Sequence, residues 1–327
     1  MKDFSRKKVL VCPLDWGFGH ATRCIPLIHQ LLEQNAEVII AAAPSIKALL
    51  QNEFPSLKFT DVFGYEVNYS RALPLNLKLI LQAPRLLKLI KKENEWLDKA
   101  IDQLGLDVVI SDNRYGLHSK KAHCIFITHQ LFIPAPVLSA ALNKKNHRYI
   151  AQFNECWVPD HEGNTNLSGK LSHGKHELKN IRYIGPLSRF KASTGAIPKK
   201  YDYCVLLSGI EPQRSILEKK LLRCITRSGK KTVFIRGIHS GRGREITNNV
   251  EVISFLNGEA LREKILQSEC VICRSGYSSI MDMATLGKKT ILIPTPGQNE
   301  QEYLAAHLEN KSQWHKVKQS KLGSLKL

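Results

Sequence analysis

KVLVCPLDWGFGHATRCIPLIHQLLEQNAEVIIAA, residues 8–42, is the stretch of sequence that predicts the fold. Its apolar run Lys8–Pro13 predicts a buried strand, and apolar residues at helical spacing predict a helix over residues 21–34. A second apolar strand is predicted over residues 37–43. Strands that are apolar on both faces and alternate with helices are typical of a parallel sheet covered by helices.

The same alternation continues along the chain and restarts once. Further strands are predicted at residues 107–111, 124–128, 203–207, 232–236, 250–254, 270–273 and 290–294. A polar stretch, 188–200, separates the two series, so we predict two α/β domains, residues 1–186 and 187–310, and a basic tail at 311–327. Each domain is expected to be a Rossmann-like, doubly wound parallel sheet. The two are expected to face a cleft that binds ligands at the carboxyl ends of the strands.

The composition is that of a globular protein with an unusual charge. Of the residues, 43% are hydrophobic and 24% are charged, and the formal net charge is +19. Such a basic excess favours an anionic partner, which could be nucleic acid, acidic lipid or a phosphorylated ligand. Nucleic acid is disfavoured, because aromatic residues make up only 7% of the chain and are not interleaved with the basic ones.

Signals for export or membrane insertion are not found in the sequence. The basic N-terminus is followed only by the apolar run Val9–Val11, which is too short for a secretory signal. No stretch approaches the roughly 18 apolar residues that span a bilayer. We therefore expect a cytoplasmic protein. Cys270 and Cys273 form the one close cysteine pair and lack a second pair at zinc spacing, so reduced buried thiols are expected.

A glycine loop lies between the first strand and the first helix. Gly17 and Gly19 allow a ligand to approach the backbone closely, and the helix start offers N–H groups and a partial positive charge. His20, which is followed by Arg23, can accept a proton near neutral pH and suits a general base that activates a hydroxyl group. The alternative is that His20 is a helix-start residue bonded to nearby backbone.

A second glycine turn follows the predicted strand 270–273. Ser275, Gly276, Ser278 and Ser279 lie where a helix begins, and such hydroxyl and N–H groups suit a phosphate. Asp282, about one turn into that helix, suits the hydroxyls of a ribose. The alternative is helix capping, with Ser278 or Ser279 as N-cap and Asp282 completing a capping box.

Two further loops are expected at the same edge of the second sheet. Gln298, Gln301 and Glu302 follow a Pro/Gly loop after the strand 290–294, although an ordinary solvated helix start explains them equally well. Gly209 follows the first strand of the second domain and is a weaker signal. The sequence has no Gly-x-x-x-x-Gly-Lys loop, His-Glu-x-x-His motif or Asp-x-Asp pair, so neither a cofactor nor a catalytic metal is expected.

These motifs together resemble the nucleotide-sugar glycosyltransferases with two Rossmann-like domains, the GT-B fold. Among them, the chain is similar to the N-acetylglucosaminyltransferases that build the peptidoglycan lipid precursor (the MurG-like group of family 28). The similarity covers nearly the whole chain and is strongest over residues 274–282 and 294–303. It recurs in the Gly-x-Gly-His loop, in Thr128-His129-Gln130 and in Ile184-Gly185-Pro186.

The resemblance implies a role for each group of residues. The second domain would bind a uridine-diphosphate sugar as donor substrate, with Asp282 on the ribose and Gln298, Gln301 and Glu302 on the sugar hydroxyls. The following residues would lie on the acceptor side: Gly17, Gly19, His20, Arg23, Asp112 and His129. Gly209 and the 275–279 turn would contact the nucleotide.

The sequence departs from the family pattern at four places. The family has Glu where Asp282 stands and a second Gln where Glu302 stands. Glu211 lies close to Gly209 in the reduced glycine loop of the second domain, where a carboxylate does not favour a phosphate. The chain also ends soon after Trp314, where the relatives have a further helix.

Residues 75–101 predict contact with a membrane surface. Leu75–Leu81 is an almost continuous apolar run, and a helix with leucines and isoleucines on one side follows Pro84. The basic residues around them are Lys78, Arg85, Lys88, Lys91 and Lys92. A basic apolar patch can lie on an anionic bilayer, and the similar family has a membrane-docking region at the corresponding place. For the part after Arg85, a core helix with a solvated basic face is an equally good interpretation.

The leading hypothesis is an inverting glycosyltransferase that acts on a membrane-associated or lipid-linked acceptor at the inner face of the cell membrane. His20 would deprotonate the acceptor hydroxyl, and helix N-termini and loop N–H groups would stabilise the leaving nucleoside diphosphate. A UDP-sugar hydrolase is the alternative, because Gly-x-Gly-His-x-x-Arg-Cys also resembles the loop of the UDP-sugar hydrolases of pseudaminate biosynthesis. Alternatives of another class are a non-catalytic nucleotide-sugar-binding protein and a basic nucleic-acid-binding protein.

Overall fold

We describe the chain in a computed structural model. The structure describes residues 3–65, 83–134, 139–192, 195, 197–238, 243–247, 249–256, 258–309 and 311–324. Contacts between Cα atoms divide the chain into two compact units, Met1–Leu187 and Ser188–Leu327. The sequence predicted a domain boundary after Pro186.

The first unit is built on a seven-stranded sheet in which every pair of neighbours is parallel. Its strands are β1 Lys8–Pro13, β2 Glu37–Ala42, β3 Lys58–Asp61, β4 Val108–Asp112, β5 His123–Ile127, β6 Glu155–Val158 and β7 Ile181–Tyr183. They lie in the order β3-β2-β1-β4-β5-β6-β7, so the chain winds outward from β1 in both directions. This is the doubly wound arrangement that the sequence predicted.

Helices pack against the apolar strands of this sheet. They are α1 Phe18–Glu33, α2 Pro44–Glu53, α3 Ala83–Leu104 and α4 Ser139–Ile150, with a short 3-10 turn at Gly169–Leu171. α3 covers the core with Leu97 and Ile101, which pack with Leu10, Val109 and Phe126 of the strands. The strands are apolar on both faces because helices of this kind exclude water from the sheet.

The second unit repeats this architecture. Its strands are β8 Tyr201–Leu206, β9 Thr232–Ile235, β10 Arg244–Thr247, β11 Val250–Ile253, β12 Ser268–Cys273, β13 Lys289–Leu292 and β14 Trp314–Lys316. Its helices are α5 Gln213–Ser228, α6 Gly258–Leu266, α7 Tyr277–Thr285 and α8 Asn299–Leu308. The strand order is β10-β11-β9-β8-β12-β13-β14, parallel throughout except for the antiparallel pair β10-β11. Two doubly wound α/β units are thus confirmed.

The first helix begins three residues earlier than the sequence predicted. α1 starts at Phe18, directly after Gly17, whose φ of 81° lies in the left-handed region that favours glycine. The turn at Gly17 directs the chain from the end of β1 straight into the helix. His20 therefore lies in the first turn of α1, next to the edge of the sheet.

The prediction that residues 311–327 form a basic tail is wrong. Trp314–Lys316 forms β14, which pairs in parallel with β13, and a 3-10 turn follows at Gln319–Ser324. Leu322 is 1% exposed and belongs to the hydrophobic core that α5 helps to form. The prediction failed because basic residues dominate the composition of this segment. Its few apolar residues, which the fold buries, are too few to form a pattern.

Replacement of a buried residue tests whether this segment belongs to the folded core of the second unit. We expect Leu322→Ala to lower the free energy of unfolding by about 2–4 kcal/mol, because it removes buried methyl groups and leaves a cavity. Urea denaturation followed by circular dichroism measures the change. Lys318→Ala, at an exposed position in the same segment, is the control. Equal stability of the two variants would show that the segment is a tail after all.

Candidate functional site

The site in the first unit lies where the winding direction of its sheet changes. β1 and β4 are neighbours, and Pro13 and Asp112 are paired at their carboxyl ends. From β1 the chain passes through α1 to β2 and β3 on one side of the sheet. The strands β5, β6 and β7 follow β4 on the other side of β1. Ligands of doubly wound folds bind at such a switch point, outside the carboxyl ends of the strands.

Four side chains meet at this point, and we call them the His20 cluster: His20, Arg23, Asp112 and His129. His20 Nδ1 lies 3.1 Å from Asp112 Oδ2, and Arg23 Nε donates to the same oxygen over 2.8 Å. Arg23 Nη2 contacts Asp112 Oδ1, and Arg23 Nη1 lies 3.2 Å from His129 Nδ1. α1 supplies the first two residues, β4 the third, and the loop after β5 the fourth.

Burial and mutual contact shift the pKa values of the residues in this cluster. Asp112 is 0% and Arg23 3% exposed. Burial alone would raise the pKa of Asp112, but the Arg23 cation and the contact with His20 outweigh this effect and lower it to about 2. Burial is also the main cause that lowers the pKa of His20 below 6.5; Asp112 opposes this effect and Arg23 adds to it. At neutral pH the cluster therefore holds a carboxylate and a neutral imidazole.

Nδ1 of His20 faces both a hydrogen-bond acceptor and a hydrogen-bond donor. Nδ1 lies near both Asp112 Oδ2 and Arg23 Nη2, the latter at 3.0 Å. The ionised Asp112 can only accept hydrogen bonds, whereas the Arg23 guanidinium can only donate them. Arg23 already donates to Asp112 through Nε and Nη2, so a proton on Nδ1 leaves no acceptor of the cluster unused and places the lone pair on Nε2. A neutral histidine oriented in this way by a carboxylate can act as a general base.

A second buried network holds the loop that precedes His20. Arg114, 0% exposed, donates from Nε to Glu93 Oε1 over 2.6 Å and from Nη2 to the carbonyl of Phe63 over 2.6 Å. Its Nη1 lies 3.6 Å from Asp15 Oδ1. Tyr65 donates its backbone N–H to Asp15 and its hydroxyl to Glu93 over 2.6 Å. The loop 14–17 is thus fixed between β4, α3 and the chain after β3.

The sequence predicted part of this arrangement. It selected Gly17, Gly19, His20 and Arg23 from the glycine loop, and Asp112 and His129 by resemblance; the structure brings the last four of these six residues together. Cys24 was not selected, although its Sγ lies 3.7 Å from Asp112 Oδ2. The network of Arg114 was also missed, because its members are far apart in the sequence. The run of polar residues that ends β4 is the signal that could have found Arg114.

The corresponding point of the second unit lies between β8 and β12. The loop after β8 carries exposed Ser208 and Gly209, whose φ of 106° again lies in the left-handed region. The loop after β12 begins with Arg274, whose guanidinium donates to the carbonyls of Gln213, Ile293 and Pro294. The start of α5 and the loops after β12 and β13 are thereby tied together at one edge of the sheet.

The helix after β12 begins without a side-chain cap. The N-cap of α7 is Gly276, so the interpretation that Ser278 or Ser279 caps the helix is wrong. Ser275 is fully buried and donates its hydroxyl to the carbonyl of Gln301 over 2.8 Å. Ser275 therefore joins the loop after β12 to the first turn of α8, while Ser278 and Ser279 are half-buried in the first turn of α7.

Asp282 is bound to the first residues of its own unit. Its carboxylate accepts from the Ser188 hydroxyl over 2.8 Å and from Arg189 Nε over 3.1 Å, and the residue is 5% exposed. A capping box is therefore not formed. Burial raises the pKa of this carboxyl, while Arg189 and Ser188 act in the opposite direction. Carboxylate oxygens accept more than one bond, so contact with a ribose stays a prediction.

Two of the three polar residues at the start of α8 stabilise the loop before it with their side chains. Gln301 Oε1 accepts the N–H of Thr295 over 2.9 Å, and Glu302 Oε1 accepts that of Gly297 over 3.0 Å. Gln298 is the N-cap residue of the helix. Gln301 is half-buried and Glu302 exposed. Contact of these side chains with a sugar is a prediction that the geometry does not test.

Glu211, which the sequence suggested would repel a phosphate near Gly209, is paired within the protein. Its carboxylate accepts from Arg214 Nε over 2.7 Å and from the Ser215 N–H over 3.2 Å. Arg214 also donates to Glu218 over 2.5 Å. The pairing with Arg214 and the start of α5 lower the pKa of Glu211 against the effect of its burial, so its charge is balanced locally.

Neither a metal-binding cluster nor a membrane span is present in the described ranges. These residues contain no cluster of three or more His, Cys, Asp or Glu side chains that could hold a metal ion. Nor does the part of the chain that the structure describes contain a helix long and apolar enough to cross a bilayer.

The chain is similar in sequence to glycosyltransferases. Residues 222–327 match the family model described as the glycosyltransferase family 28 C-terminal domain. An uncharacterized glycosyltransferase of Methanosarcina mazei is 27% identical over 92% of this chain and 83% of its own length. The UDP-N-acetylglucosamine--N-acetylmuramyl-(pentapeptide) pyrophosphoryl-undecaprenol N-acetylglucosamine transferase of Haemophilus ducreyi is 25% identical over 93% and 83%.

Solved structures share the fold of this chain. The glycotransferase of kitacinnamycin superposes with a TM-score of 0.69 at 14% identity, covering 98% of this chain and 89% of that one. MurG of Acinetobacter baumannii superposes with a TM-score of 0.56 at 14% identity, covering 98% and 88%. Fold, C-terminal domain and relatives together identify the chain as a glycosyltransferase of the GT-B fold, similar to the N-acetylglucosaminyltransferases of the peptidoglycan lipid precursor.

Proposed function

We propose that this glycosyltransferase moves a hexose or N-acetylhexosamine from a UDP-sugar to a hydroxyl of a membrane-associated or lipid-linked acceptor, with inversion at the sugar carbon. The contact between His20 Nδ1 and Asp112 Oδ2 carries the proposal, because it leaves Nε2 as the base. Removal of the acceptor proton by Nε2 makes the oxygen a nucleophile. A single displacement on the face opposite the leaving group then inverts the sugar carbon.

The second unit supplies the donor side of the proposal. The turn at 275–279 and the amino end of α7 favour a phosphate, since a helix N-terminus carries a partial positive charge. Asp282 is proposed to contact the ribose, and Gln298, Gln301 and Glu302 the sugar. Two solved structures with this fold were determined with thymidine diphosphate and with UDP-L-rhamnose, which supports a nucleotide-sugar donor. The reaction as proposed requires no metal or cofactor.

The first turns of α3 support a membrane-bound acceptor. Leu87 is 39% exposed, and Leu86, Leu89 and Ile90 are only partly buried, whereas Leu97 is fully buried further along the helix. The exposed basic residues beside them are Arg85, Lys88, Lys91 and Lys92. An apolar strip between lysines suits an anionic bilayer, where each basic residue contributes about 1 kcal/mol. The predicted apolar run Leu75–Leu81 lies outside the described residues.

Hydrolysis of the UDP-sugar is the second candidate. The residues that distinguish the Gly-x-Gly-His-x-x-Arg-Cys motif, Arg23 and Cys24, both contact Asp112, the partner of His20. They therefore belong to the environment of the proposed base. Water in place of the acceptor hydroxyl would give the free sugar with the same base.

Release of UDP distinguishes transfer from hydrolysis. We expect UDP release from one member of a panel of UDP-sugars only when a membrane lipid extract is present. His20→Ala should lower kcat/KM by about 10²- to 10⁴-fold, because the general base is lost. His29→Ala, at a solvent-exposed position on the same helix, is the control. Release without the extract would support the hydrolase instead, and full activity of His20→Ala would refute the assigned role.

The pH dependence tests the pairing with Asp112. The base is active when neutral, and the pKa of His20 lies below 6.5, so kcat/KM should fall only in acid, below about pH 6.5. Asp112→Asn removes the charge that raises the pKa of His20, so the acid limb should move to lower pH. The rate should also fall by about 10²- to 10⁴-fold, because the amide favours the wrong tautomer.

Asp112→Asn also leaves Arg23 without its counter-charge, so folding of the variant is checked by circular dichroism. His20→Gln, which keeps the Asp112–Arg23 pair, provides a second variant. An unchanged acid limb in Asp112→Asn would show that this carboxylate does not act on His20.

Binding to lipid vesicles tests the surface of α3. We expect the protein to sediment with vesicles that contain phosphatidylglycerol and not with pure phosphatidylcholine. Lys88→Glu reverses one charge in the exposed strip and should weaken binding by about 5- to 30-fold, as two charge units at about 1 kcal/mol each predict. Lys99 is also exposed, but it lies further along the same helix, where the neighbouring apolar residues are buried. The variant Lys99→Glu should therefore bind like wild type. Equal loss in both variants would indicate a general charge effect and no docking surface.

A further inference from the structure

Arg274 is a buried cation, and the described part of the chain gives it no acidic partner. The residue is 1% exposed. Nη2 donates to the carbonyl of Gln213 over 2.9 Å, and Nη1 to those of Ile293 and Pro294 over 3.3 and 3.2 Å. The buried Nε has no hydrogen-bond partner. Within the described ranges, no carboxylate lies within 4.0 Å of the guanidinium.

The acidic side chains at these strand ends are committed to other cations. Glu211 is paired with Arg214, and Glu218 with both Arg214 and Arg236. Asp282 is paired with Arg189. The carboxylates that follow β8 and β12 are thus balanced, and the positive charge of Arg274 is not.

A buried charge without a counter-charge is energetically unfavourable in the protein without ligand. Carbonyl dipoles solvate a guanidinium but carry no net charge, and a buried charge is disfavoured unless it is paired. Burial accordingly lowers the pKa of Arg274, and no neighbouring charge opposes it. Arg23, at the matching point of the first unit, has Asp112 as its counter-charge.

Arg274 also lies next to the part of the second unit that suits an anion. It follows the last residue of β12 and precedes Ser275 and Gly276, the N-cap residue of α7. The three carbonyls that it binds belong to the first residue of α5 and to the loop after β13. Its charge is therefore placed beneath the strand ends where the donor is proposed to bind.

We propose that Arg274 is the buried positive charge that the diphosphate group of the nucleotide donor neutralises, and thus a positioning residue for the leaving group. The inference rests on the proposed function in that it places the donor in the second unit. Because the guanidinium is buried, it acts through the electric field and through the start of α5 and the two loops that it fixes. It favours the diphosphate over the free nucleoside, and its effect grows as negative charge develops on the leaving group.

A ladder of ligands with increasing phosphate charge tests this inference. The dissociation constants of uridine, UMP, UDP and inorganic pyrophosphate are measured by calorimetry for wild type, Arg274→Met and Arg274→Lys. The diphosphates of the other common bases are measured in the same way. In wild type, each phosphate should tighten binding. Arg274→Met should weaken UDP and pyrophosphate by about 10- to 100-fold and leave uridine unchanged. Arg274→Lys should restore part of the loss.

Lys288→Met is the matched control. Lys288 is another buried cation, 5% exposed, and it precedes β13, at the opposite end of the same strands. Its Nζ donates to the carbonyl of Ser268. We expect this variant to keep the full dependence on phosphate.

The outcomes distinguish an effect of the Arg274 charge from an effect of the loops that Arg274 holds in place. If Arg274→Met weakened uridine and UDP by the same factor, the residue would act only by holding the loops, and the inference would be wrong. It would also be wrong if wild type bound no nucleoside diphosphate and no pyrophosphate. If a different diphosphate bound in an Arg274-dependent way while no UDP-sugar was turned over, the proposed donor would be wrong and the inference would stand.

Discussion

The ion pair between Asp112 and Arg23 is the interaction on which the first unit's site depends. It joins the end of β4 to the second turn of α1 across 89 positions of sequence, and both residues are almost fully buried. Removing one partner of such a pair costs about 3–5 kcal/mol, because the other charge stays buried without compensation. The pair also sets the state of His20, since it keeps Asp112 ionised and provides the contact to Nδ1. Stability and proposed catalysis therefore depend on one carboxylate.

The two units share the doubly wound arrangement, but a buried arginine near the switch point has different partners in each. Each has an arginine in the loop or helix that leaves the switch point of its sheet: Arg23 in the first unit and Arg274 in the second. Arg23 is neutralised within the protein, which leaves a neutral histidine beside it. Arg274 is bound only by carbonyls among the described residues, so positive charge persists there. A site with an internal counter-charge suits a neutral hydroxyl, and a site without one suits a diphosphate.

Much of the remaining polar structure holds loops in place around these two points. Arg114 and Glu93 fix the loop before His20, and Ser275 and Gln301 fix the loops around the amino ends of α7 and α8. Such fixed loops favour catalysis because groups that are already oriented need no reorganisation during the reaction. Several residues selected as ligand contacts, above all Asp282 and Gln301, already have partners in the protein. Any contact with the donor must therefore use their remaining hydrogen-bonding capacity.

The sequence by itself determined the fold class, the two doubly wound units and the glycine turn between β1 and α1, because periodic apolar runs and glycines act locally. It predicted the start of α1 to within three residues. It did not determine that residues 314–324 belong to the second sheet and core, since their apolar residues are too few to form a pattern. Only the tertiary structure decided that Asp112 pairs with Arg23, that Asp282 binds Ser188 and Arg189, and that Arg274 has no such acidic partner in the described residues. These partners lie far apart in the chain, and the balance of charge between them depends on burial, which no local pattern records.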